Sequence, residues 1–125
     1  MIKHLLIPSI LATLVIGCEQ QPTEPQISFS KDIKPLIDQN CTECHTPGQQ
    51  GSEASGFVTT DYDGIMKGTK YGPVVVAGNA ISSSFYRLVA GKVDPSIRMP
   101  HGKEAISEEN IAKIEKWIDQ GAKNN

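Results

Sequence analysis

The sequence predicts an all-α domain. Apolar residues recur at helical spacing in separate stretches, helix caps flank these stretches, and the one β-branched run has no second strand to pair with. At 125 residues there is room for one domain, and 38% apolar and 21% charged residues make an ordinary globular balance. Aromatics, at 6%, are too few to build a large core unaided, so a domain this small would gain from burying a cofactor.

The first predicted helix carries Phe29, Ile33, Leu36 and Ile37 on one stripe and ends near Asn40. Pro35 makes its first turn irregular, because a proline forbids a regular helix beginning much before Lys31. Residues 46–56 hold three glycines and a proline and read as a loop, followed by Phe57 and Val58 at the edge of any bound group. Thr60 or Asp61 caps a short helix from Tyr62 to Lys67, stopped by Gly68. The run Val74-Val75-Val76 lies between turn signals and reads as an extended segment. A serine among Ser82, Ser83 and Ser84 caps a helix bearing Phe85, Leu88 and Val89 and ending at Gly91. Residues 93–105 return to loop. Ser107 with Glu108 and Glu109 opens the last helix, whose stripe is Ile111, Ile114, Trp117 and Ile118, with Gly121 at the C-terminal cap. Trp117 reads as core, with the edge of a cofactor as the other place for it.

The N-terminus is a different kind of sequence. Met1-Ile2-Lys3-His4 is a short basic stretch, and Leu5 to Ile16 is an apolar run shorter than the roughly 20 residues that span a bilayer. Val15-Ile16-Gly17-Cys18 resembles a bacterial lipobox, which implies a signal peptide at 1–17, cleavage before Cys18 and lipidation of Cys18. An ordinary signal peptide and an uncleaved anchor are the competing readings. Residues 18–28, polar with two prolines, read as a lipidated cysteine and flexible tether, leaving 29–125 as the domain. Removing residues 1–17 takes away Lys3 and no acid, leaving 11 basic and 14 acidic side chains and a formal charge of −3. No basic excess invites nucleic acid; a partner with a basic or neutral docking face is expected.

The chemistry concentrates in Cys41-Thr42-Glu43-Cys44-His45. C-x-x-C-H is the signature of c-type haem attachment: two thiols meet two vinyl groups, and the imidazole takes one face of the iron. A thioredoxin-like dithiol would need a βαβ context, which is missing, and a zinc site would need further ligands, whereas the only other cysteine is Cys18. Export leaves two cysteines for two vinyls, since lipidation consumes Cys18. The second iron face has four readings: Met99, in a loop 54 residues after His45; His101, two residues further; Met66; or no ligand. Met66 sits in a predicted helix, where a methionine is more often core filler. Met99 precedes Pro100, which forces an extended backbone able to present a thioether. Arg98 is either a partner for a haem propionate or a solvated surface arginine.

The mature chain resembles a class I-like monohaem cytochrome c of the planctomycete type, from Ser30 to Ala122. Beside the pentapeptide, the resemblance is carried by Lys31-Asp32-Ile33-Lys34-Pro35-Leu36, Lys67-Gly68, and Gly72-Pro73-Val74-Val75-Val76-Ala77-Gly78-Asn79. It continues in Ser84-Phe85-Tyr86-Arg87-Leu88, Arg98-Met99-Pro100 and Trp117-Ile118-Asp119-Gln120-Gly121-Ala122. The resemblance implies short helices and long loops around one covalent haem c, thioethers at Cys41 and Cys44, and ligation by His45 and Met99. His101 departs from it, standing where similar sequences often have another proline. The expected function is single-electron transfer between redox partner proteins by a carrier that is not an enzyme, on the periplasmic side of a bacterial membrane. No small-molecule substrate is expected. A haem-based enzyme or gas or peroxide sensor with an open distal site is the alternative, and a haem-free periplasmic dithiol or structural lipoprotein is the third class.

Overall fold

A computed structural model describes residues 24–125. The expected signal peptide and the lipidation site at Cys18 lie outside the described residues. Among the described residues the fold is all-α: helices joined by loops, with no strand and one isolated bridge between Thr69 and Gly72.

The chain enters through a wide π-helical turn at Phe29–Ile33 that runs on into α1, Lys34–Asn40. Pro35, in the first turn of α1, has no N–H to offer Lys31 and its ring crowds that carbonyl, which favours the wide turn over a regular one. Ser28 caps the entry: its hydroxyl accepts from Lys31 N, and the Asp32 carboxylate accepts from Ser28 N at 2.8 Å. Phe29, Ile33 and Ile37 are buried as the stripe predicts. Cys41 N donates to Ile37 O at 2.8 Å, so the pentapeptide leaves α1 without a break.

Residues 46–56 depart from expectation, since Gln50–Ser55 form a helix, α2. It has no apolar stripe. A hydroxyl holds it instead: Ser52 Oγ lies 2.6 Å from Thr46 O and 2.8 Å from Gln49 O, its one proton shared between the two carbonyls, and Gly56, at φ +77°, ends the helix in a left-handed cap. α3, Tyr62–Lys67, matches the expectation, with the Asp61 carboxylate accepting from Gly64 N at 2.7 Å and Gly68 as the stop.

The extended stretch after Gly72 is pinned to α4, Ser84–Val89, where Phe85 N donates to Val74 O at 3.0 Å. Ser83 stands at the N-cap of α4, but its hydroxyl makes no cap bond. Buried, it accepts from Val76 N at 2.8 Å and donates to Asn79 O, closing the preceding loop. The expected loop 93–105 contains one 3₁₀ turn, Pro95–Ile97.

α5, Glu108–Asp119, is capped by Ser107, whose hydroxyl accepts from Asn110 N at 3.3 Å. It packs on the entry turn and on α4, burying Ile114, Trp117 and Ile118. Trp117 lies 5.6 Å from the Phe29 ring, centroid to centroid, and donates its Nε1–H to Lys123 O at 3.0 Å. This places it in the core. The end of the expected free tether is also held against the domain: Ile27 N donates to Gln120 Oε1 at 2.8 Å, and Lys116 pairs with Glu24 at 3.0 Å. No helix among the described residues is long and apolar enough to cross a membrane.

Candidate functional site

A cavity of about 470 Å³ opens between the pentapeptide, α2, α4 and the loop of Met99. Cys41, Cys44 and His45 lie on its wall, as do Met99 and His101. Sequence positions 54 apart are thus brought to one chamber. Its lining is mainly apolar, with Phe57, Val74, Phe85, Leu88 and Val89 contributing. The volume lies within the roughly 300–1,000 Å³ usual for small-molecule and cofactor sites.

The pentapeptide is a hydrogen-bonded knot. Cys44 N and His45 N both donate to Cys41 O, at 3.1 and 3.0 Å, and Thr46 Oγ1 donates to Thr42 O at 2.6 Å. Ser52 N donates to Cys44 O, and Thr59 N to His45 O, so α2 and the strand-like exit of its loop clasp the motif from outside. The His45 ring is fixed by Phe57, whose carbonyl oxygen lies 3.2 Å from Nδ1. A carbonyl only accepts, so Nδ1 carries a proton, and in the neutral ring Nε2 is then the nitrogen with the free lone pair.

Gly51 explains why a glycine opens the first turn of α2. A Cβ there would stand 2.7 Å from Cys44 O, 2.9 Å from His45 Cε1 and 3.0 Å from Nε2. The missing side chain keeps room beside His45 Nε2. Free lone pair, reserved space, two thiols on the wall and an apolar chamber together fit a covalently attached, iron-bearing macrocycle such as haem c.

The thiols argue against a redox dithiol. Such pairs depend on a thiolate of lowered pKa. Burial, with the Asp38 charge adding to it, pushes Cys41 up to about 11. No group of three or more metal-binding side chains occurs among the described residues, so a zinc site finds no further ligands there.

Of the other residues singled out by sequence, Phe57 lines the cavity and Trp117 does not. Met66 packs partly buried against the hydrophobic core and is not on the cavity wall. Arg98 is also off the wall; its Nε is buried without a partner, near Gly91. Sequence reading missed Gly51, Leu88 and Lys103. Leu88 O accepts from Met99 N at 3.2 Å, and Lys103, on the cavity wall, forms an ion pair with Glu43 of the pentapeptide. That pairing holds the Glu43 carboxyl below its ordinary range and the Lys103 ammonium above its own.

Comparison with known families bears on the same stretch. Residues 41–101 match the family model described as Planctomycete cytochrome C. The match supports a planctomycete-type cytochrome c domain, and with it haem-based electron transfer, haem c binding and redox proteins as partners in general. It begins at Cys41 and ends at His101, both of which are on the cavity wall. It is narrower than the Ser30–Ala122 resemblance, and α1 and α5 lie outside it. No curated protein and no solved structure matches the chain.

Proposed function

We propose that this chain is a lipid-anchored, class I-like monohaem cytochrome c on the periplasmic side of a bacterial membrane, passing single electrons between redox partner proteins. The observation that carries the reading is the shared cavity: both cysteines and the histidine of C-x-x-C-H line the same apolar chamber as Met99. When bound, haem c supplies an iron centre that gains and loses one electron. Cys41 and Cys44 would hold the group through thioethers, and His45 would offer Nε2 while Phe57 O keeps its ring from turning. Met99 would close the second face with a thioether, which favours the reduced iron and leaves no position for a substrate. The apolar wall formed by Phe85, Leu88 and Val89 excludes water and limits solvent rearrangement on electron exchange.

The lipid anchor rests on the lipobox-like residues ending at Cys18, and the periplasmic address follows from it. Intact-mass analysis of the protein purified from membranes tests the whole reading. One covalent haem per chain and a lipidated N-terminal Cys18 are expected; a haem-free chain would overturn the cytochrome, and an unlipidated Cys18 the anchor.

A second reading, a haem-based sensor or enzyme with a labile distal face, draws on the sparse polar attachment of the residues after Met99. Rapid CO binding to the ferrous protein would favour it.

A further inference from the structure

Residues 100–106 follow Met99 and border the cavity at Pro100, His101 and Lys103. Met99 N donates to Leu88 O just before them, and Ile106 is buried just at their end. Between these two anchors the segment makes no backbone hydrogen bond to the remainder of the described residues. Its one polar tie there is the ion pair from Lys103 to Glu43. Glu43 lies between the two cysteines, two residues before His45. The pair therefore joins the peptide that holds the proximal imidazole to the loop that holds Met99.

We propose that the Glu43–Lys103 ion pair is a strap across the cavity mouth, with Lys103 a positioning residue that keeps the Met99 loop closed over the second iron face. The proposal deepens the cytochrome reading and rests on it where Met99 is concerned. The strap is exposed, at 38% for Lys103 and 72% for Glu43, so salt and solvent weaken it. Its effect is a bias on an opening equilibrium. A closed loop keeps the thioether in place, whereas an open one admits small diatomic ligands.

The test uses the haem-loaded protein with Lys103→Gln, Glu43→Gln and the swapped pair Glu43→Lys/Lys103→Glu. Exchange of the Met99 amide hydrogen, which is bonded to Leu88 O and freed when the loop lifts, reads the strap whether or not Met99 is a ligand. The CO association rate of the ferrous protein reads its consequence at the iron. Each single variant is expected to raise both by about 1.5- to 5-fold, the range of an exposed pair, with 1 M salt raising the wild type similarly. The swapped variant should return both toward wild type. Single variants that exchange and bind CO like the wild type, or a swapped pair no better than the singles, would overturn the strap. Faster exchange with unchanged CO binding would overturn its link to Met99 and leave the cytochrome reading untouched.

Discussion

The carbonyl of Phe57 lies 3.2 Å from Nδ1 of His45, and this contact decides which nitrogen of the ring is available. Phe57 sits just past Gly56, the left-handed cap of α2, with its own side chain buried and its ring 5.4 Å from the imidazole. The imidazole is thus oriented by the exit of a helix that apolar spacing does not reveal.

Gly51→Ala should disturb that orientation directly. The added Cβ meets Cys44 O at 2.7 Å and the imidazole at 2.9 Å, so either the ring turns or α2 lifts. Overpacking of this kind costs about 1–3 kcal/mol. Denaturant unfolding should show that loss, and the ferric spectrum should shift with it. An unchanged spectrum and midpoint would show that the space beside Nε2 is not needed.

Trp117 gives the contrasting case. It is 1% exposed, lies in the core with Phe29 and does not line the cavity. Trp117→Ala should cost about 3–5 kcal/mol in stability and leave the haem spectrum of the surviving folded protein as it was. A changed axial-ligand spectrum in folded protein would place the indole nearer the cofactor than the packing does.

Cys41 predicts a difference between free-thiol and haem-bearing chains. Its folded-state pKa is raised from 9.0 to about 11 by burial and by Asp38. The folded chain therefore keeps the proton that the unfolded chain gives up, and stability conferred below pH 9.0 is lost as pH rises toward about 11. Unfolding midpoints of the haem-free chain should fall across that window. A thioether at Cys41 removes the titration, so the haem-bearing chain should lack this component of the fall. Equal falls in both forms would show that Cys41 is not thioether-bonded.

Much of the fold was legible because apolar spacing and caps coincide: Ile33 in the entry turn and Ile37 on α1, Asp61 before α3, Ser107 before Ile114, Trp117 and Ile118 on α5. α2 was not, because Gln50-Gly51-Ser52-Glu53-Ala54-Ser55 has no apolar face and is assembled by Ser52 and by contact with the pentapeptide. The cysteines and His45 are readable as a local motif. Met99 is readable only as a candidate, since nothing near it in sequence announces Leu88 O or the Lys103–Glu43 pair. The docking of Glu24 and Ile27 on α5 was hidden for the same reason: its partners, Lys116 and Gln120, are about ninety residues away.

The proposed electron transfer turns on Met99 closing the second face of an iron that His45 would hold. Ferric and ferrous absorption spectra of wild type, Met99→Ala and His101→Ala, taken with and without CO, test it most directly. The wild type and His101→Ala should be low-spin and slow to bind CO, and Met99→Ala should turn high-spin or bind CO readily. A Met99→Ala protein that keeps the wild-type low-spin spectrum would contradict the assignment, and loss of that spectrum in His101→Ala alone would transfer it to His101.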